Sequence, residues 1–230
     1  MSLTKTLDTM VFDLLAQTKN RIGRTHLREN STGAILLLHG AFECDCLSPR
    51  ATAAAVELVR WFVPEGAADI AQHLLHPLVR LLETPDSGPA NMGLITGVVD
   101  LLDEVANSHA SAASRALRGA LPVLVQLLSL NAMRRGRPQR VLPGLLPLLI
   151  TVIDRHGADE ADVDVRHIFV RKGGIPPLVA LLGAEGADRL SAQGSQVLQL
   201  LDTLAFENVA VKDALRMTGG LATVASLVAY

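Results

Sequence analysis

The sequence predicts an all-α protein of stacked three-helix units, about four of them followed by an incomplete one at the C-terminal end. Three observations lead there. First, 49% of the 230 residues are hydrophobic but only 3% are aromatic. A core of Leu, Val and Ala rather than of rings favours helix, because Leu and Ala lose little side-chain freedom there. Second, a Leu-Val cluster recurs as "HPLVRLL" at Leu78 and Val79, "LPVLVQLL" at Leu124 and Val125, and "PPLVALL" at Leu178 and Val179. It returns more weakly at Val224 in "GGLATVASLV", and the successive intervals are 46, 54 and 46 residues. Third, no alternating strand pattern bounded by hairpin signals is present.

The elements follow in order. Residues 1–23 read as an N-terminal capping helix, with Leu3, Leu7, Met10, Val11 and Leu14 at helical spacing. Asp8 and Asp13 interrupt that segment, unlike a secretory or transit leader. Residues 24–64 fit one worn repeat, with "STGAILLLHGAF" as second helix and "SPRATAAAVELVRWF" as third. Residues 65–108 hold "HPLVRLL" and the longer "ANMGLITGVVDLLDEVAN". In 109–158, "SHASAASRALR" precedes "LPVLVQLL"; the insert "NAMRRGRPQR" then lengthens the period before "RVLPGLLPLLITVIDRHG". Residues 159–208 run "DVDVRHIFVRK", "PPLVALL" and "SAQGSQVLQLLDTLAFEN", where Val197, Leu200, Leu201 and Leu204 share one face. Residues 209–230 repeat the first two helices, "NVAVKDALRM" and "LATVASLVAY", with no third. A Gly or Gly-Gly corner separates first from second helix in each unit. At 173–174 and 219–220 the pair suits a corner that needs positive φ, and Pro is acceptable in the first turn that follows.

"GGIPPLVALL", a long helix ending "LLDTLAFEN", a short helix and another "GG" together resemble armadillo repeats. The resemblance is most specific over 163–230, extends over 65–157 and fades before that; HEAT repeats are the near neighbour. It implies an α-solenoid. An ordinary irregular helical domain is the alternative, since helix bundles also reuse Leu-rich segments. In a solenoid one unit cannot bury its apolar face alone, and the ends need polar caps. The missing last helix therefore predicts an apolar C-terminal face, near Leu221, Val224, Leu227, Val228 and Tyr230, docked against another subunit.

The charge of −2 gives no global pull towards nucleic acid or anionic lipid, and the apolar runs are too short to span a bilayer. Cys44 and Cys46 form a lone "CDC": buried or idle thiols, or half a metal site without a second pair nearby. With no disulfide framework, an intracellular setting is expected, cytoplasmic or cytoskeletal and including the cilium. His73 and His76 could share a metal on a helix but lack a completing ligand. Arg134, Arg135, Arg137 and Arg140 are read as a solvated loop or as a contact for an acidic surface. "DEADVD" at 159–164 reads as a loop leading into a helix.

No phosphate loop, nucleophile elbow or zinc-protease motif occurs, so neither an enzyme nor a cofactor is expected, and no metal site or small-molecule substrate. Armadillo proteins that import nuclear cargo carry a Trp and Asn four residues apart on third helices. Matching that pattern puts Gln199 and Thr203, and Asp100 and Glu104, at those positions, so that role is not expected here. Asp100, Asp103, Glu104, Gln199 and Thr203 are the expected partner-binding groove residues, with Glu57 and Trp61 in the worn unit. The resemblance implies a non-catalytic protein that binds other protein subunits, as a structural part of a larger assembly, axonemal or otherwise cytoskeletal or organellar. A free cytosolic adaptor of the Hsp70-cofactor kind is the first alternative. A nucleic-acid-associated protein using Arg134 to Arg140 is the second.

Overall fold

The computed structural model describes residues 3–83, 89–133, 141–156, 165–184, 191–206 and 208–228. Among them are thirteen helices and no strand: α1 (Leu3–Gln17), α2 (Arg21–Glu29), α3 (Ser31–Glu43), α4 (Pro49–His73), α5 (Leu75–Leu82), α6 (Pro89–Ser108), α7 (Ala110–Ala132), α8 (Leu142–His156), α9 (Val165–Arg171), α10 (Ile175–Leu182), α11 (Ala192–Ala205), α12 (Val209–Met217) and α13 (Gly220–Val228). The all-α expectation holds. The chain divides into two compact units, 1–116 and 117–230.

Helix starts are fixed locally by polar side chains that accept the first free N–H groups. Asn20 Oδ1 accepts from the Gly23 amide at 2.6 Å, opening α2, and Ser48 Oγ accepts from Ala51 at 3.3 Å, with Pro49 in the first turn of α4. Ser191 Oγ accepts from Gly194 at 3.0 Å and Asn208 Oδ1 from Val211 at 3.2 Å, starting α11 and α12. Helix α4 does not run straight. Pro64 has no N–H to give to the carbonyl one turn back, and Gly66 leaves helical geometry at φ −121°, ψ 19°.

In the first unit α4 is central, packed by α1, α3, α5 and α6, and α5 also touches α3 and α6. Its core is almost wholly aliphatic: Val11, Ile35, Leu38, Leu58, Ile70, Leu74, Leu78, Val98 and Leu102 are fully buried, joined by Phe62. Each such side chain contributes about 1.5–3 kcal/mol of burial, which is what binds short helices that would not persist alone. In the second unit α8 packs on α11, α9 on α12 and α10 on α13, while α10 also touches α11 and α12. Phe169, Leu178, Val197, Leu200, Leu204 and Val211 are inaccessible there.

Two corners have the predicted chemistry. Gly173 has φ +78° and Gly219 φ +74°, and no other described glycine is left-handed. The second glycine of each pair is required for a different reason. A Cβ on Gly174 would collide with the Phe169 ring, and one on Gly220 would come to 2.8 Å from both Leu215 and Val179. The corner expected between "SHASAASRALR" and "LPVLVQLL" is absent. α7 runs unbroken through Gly119 and Pro122, because a single glycine with ordinary negative φ does not reverse a helix.

Candidate functional site

The groove residues of the first unit lie on the seam between α4 and α6. Ala53, Val56, Glu57 and Arg60 form a stripe on α4, and Gly93, Leu94 and Gly97 one on α6; together they line an open groove of about 140 Å³. The glycines keep the floor low, and the charges stand at its side. Arg60 Nη2 donates to Glu104 Oε1 in an ion pair that ties α4 to α6. That hydrogen bond holds Arg60 protonated still more firmly than usual, against a partly opposing effect of burial. Burial pushes the Asp100 carboxyl above its ordinary value; the Arg60 charge pulls it back down and Glu104 adds to the rise. The seam thus offers three carboxylates, from Glu57, Asp100 and Glu104, against one guanidinium already engaged.

Asp103 is half-buried on the same helix, and Trp61 is half-buried beside Phe62, edge-on at 5.1 Å, with the Arg28 guanidinium 5.8 Å from its ring centre. Arg28 also pairs with Glu65 at 2.9 Å. Gln199 and Thr203 lie on α11 in the other unit; Gln199 is exposed, and the Thr203 hydroxyl donates to the Gln199 carbonyl at 3.0 Å. Thr203 is therefore engaged by its own helix, leaving Gln199 the more available of the two.

Of the C-terminal face, Leu221 is exposed and Val224 half-buried on α13. Leu227 and Val228 belong to that helix, and Tyr230 lies outside the described residues, as do Arg134, Arg135, Arg137, Arg140 and the 159–164 segment. The sequence reading missed the exposed apolar side chains Leu130, Met133, Phe206, Val209 and Met217 of the second unit, the last 87% accessible. It also missed Arg60. The signal was available: Arg60 and Glu104 are 44 residues apart, close to the repeat interval, on the helices read as successive third helices.

The remaining candidates resolve simply. His73 meets His39 edge-on at 6.3 Å, and His76 faces Glu43 at 3.9 Å. Among the described residues no three His, Cys, Asp or Glu side chains converge to hold a metal ion. Cys44 is exposed and Cys46 half-exposed, both free. A hydrogen bond with Cys44 is the main cause that raises the Cys46 thiol above its usual value. No described helix is long and apolar enough to cross a membrane. No family model, curated protein or solved structure matches this chain.

Proposed function

We propose that the chain is a non-catalytic armadillo-like solenoid that binds other proteins along the α4–α6 seam. One observation carries the reading: counterpart helices meet counterparts. α3 packs on α5 and α4 on α6 in one unit, and α8 on α11, α9 on α12 and α10 on α13 in the other. The members of each pair begin between 40 and 50 residues apart, which is how stacked repeats satisfy their apolar sides. The low, glycine-floored groove with its excess of carboxylates suits a peptide segment bearing Lys or Arg. Complementary charge steers such an encounter and fixes its register. Exposed Phe206, Val209, Met217 and Leu221 supply apolar surface of the kind that protein neighbours cover, which favours a structural subunit of a larger assembly, cytoskeletal or ciliary, over a free adaptor.

The test is site-specific photo-crosslinking in the native cell, with the reactive group at Ala53 or Leu94 in the groove and at exposed Lys212 as control. Discrete protein adducts are expected from the groove positions. Their mapped peptides should be basic, and their yield should fall when Glu57 and Glu104 are both changed to Gln. Equal labelling from all three positions, or adducts insensitive to the charge change, overturns the proposal.

A further inference from the structure

The surface that holds the seam does not end at α4. At about 100° per residue, Arg60, Glu57, Trp61 and Glu65 follow one another round that helix. Arg60 is paired with Glu104 of α6, whereas Glu65 and Trp61 meet Arg28 of α2, through the 2.9 Å ion pair and the ring contact. Helix α4 therefore has α6 on one flank and α2 on the other, with half-buried Trp61 between. α2 brings the opposite charge. Arg21, Arg24 and Arg28 recur at spacings of three and four and so share one face, while buried Gly23 and Leu27 anchor the helix from another. Arg21 and Arg24 are exposed and, among the described residues, have no ion-pair partner. Beside Arg21 the surface dips into an open hollow of about 580 Å³, whose polar lining of Gln17, Asn20, Arg21 and His26 offers N–H donors and no carboxylate. Across three neighbouring helices the charge thus changes sign, from carboxylates on α6 to guanidinium groups on α2.

From this juxtaposition, and resting on the seam reading above, we infer that the partner is a peptide segment of two opposite charges. Its Lys or Arg residues lie over Asp100 and Glu104, and Asp or Glu residues further along it bind Arg21 and Arg24. Helices pack about 8–10 Å apart, so α6 and α2 are separated by roughly two such spacings, which an extended chain at ~3.3 Å per residue covers in about five or six residues. Arginine suits the second contact, because its planar fork matches a carboxylate. A uniform polyanion, whether a nucleic acid or an anionic bilayer, does not fit: the charge that suits α2 is repelled by Glu57, Asp100 and Glu104. Opposite signs at the two ends also fix which way round the segment lies.

The experiment uses the full chain and synthetic fluorescent peptides, read by anisotropy at physiological salt, where screening acts over about 8 Å and keeps the two charge patches distinct. One peptide has a lysine block, a spacer of about six uncharged residues and an aspartate block. A second carries Ser and Asn in place of the aspartates, and a third has the charges of the first in alternation. The first should bind about tenfold tighter than the second, each exposed arginine–carboxylate pair contributing a few-fold, and the third should lose that gain. Arg21→Gln with Arg24→Gln should abolish the gain and leave the second peptide's affinity unchanged. The urea midpoint should stay where it was, because both side chains are exposed. Glu57→Gln with Glu104→Gln should weaken both peptides. The inference is overturned, with the seam reading intact, if the first and second peptides bind alike and both depend on the glutamates. A gain that survives the arginine changes, or that the alternating peptide matches, overturns it too. If neither peptide binds, both readings fall. Capture of phosphatidylserine vesicles through Arg21 and Arg24, with no gain from the aspartate block, would make α2 a membrane contact instead.

Discussion

Replacing Gly174 by Ala probes the α9–α10 corner. The new methyl would collide with Cε1, Cζ and Cδ1 of Phe169. Phe169 is 0% exposed, so the ring cannot move into water, and the α9 and α10 backbones must part instead. Overpacking of this kind costs about 1–3 kcal/mol, and contact with three ring atoms points to the upper half of that range. Gly173→Ala at the preceding position meets nothing within 4 Å; its cost is the left-handed φ alone, about 1–2 kcal/mol. Magnitude alone separates the two poorly, so the assay is a double-mutant cycle with Phe169→Leu, which removes two of the colliding atoms. Stability is read from urea midpoints and from hydrogen exchange of the α9 and α10 amides. Gly174→Ala should be coupled to Phe169→Leu by about 1–2 kcal/mol, within the range found for touching residues. Gly173→Ala should add to it within about 0.5 kcal/mol. If both glycines are additive with Phe169→Leu, the reasoning about the corner is wrong.

Three further outcomes follow from the same structure. Leu38→Ala should cost about 2–5 kcal/mol in urea unfolding, because Leu38 is fully buried, while Leu37→Ala, at 55% exposure, should stay within about 0.5 kcal/mol. Ser48→Ala should cost about 1 kcal/mol through the lost cap of α4, and Ser48→Asp should restore most of it. Asp100 takes up its proton more readily folded than unfolded, so its contribution to stability falls as pH rises from the ordinary aspartate range through its raised folded value. Asp100→Asn should therefore outlast the parent in urea at neutral pH, with the two converging below the ordinary aspartate range; Arg60→Ala should move the Asp100 titration, followed by carboxyl NMR, further up.

What could be read in advance was whatever local chemistry decides. Helices were legible from composition and from faces such as Val197, Leu200, Leu201 and Leu204, all buried on α11. The paired glycines announced two corners because positive φ narrows the choice of residue so sharply. Gly119 misled because one glycine carries no such requirement, and the helix passes through it. The run "GAILLLHGAF" was uninformative about its own face: Leu36 and Leu37 are exposed and Leu38 is not, a distinction set by α4 and α5 rather than by the run itself. The Arg60–Glu104 pair depends on how far α6 slides along α4, which no single segment encodes. Cys44 and Cys46 were visible as letters, but the left-handed conformation of Asp45 between them, φ +48°, is not announced by the sequence.

Because several helices pack on helices that begin 40–50 residues away, injury to one such pair should be felt first by the helices that touch it. A fault at Gly174 loosens α9, α10 and the helices that touch them, α8, α11, α12 and α13. Such a molecule can tolerate sequence drift in one helix pair while the packing of another stays intact.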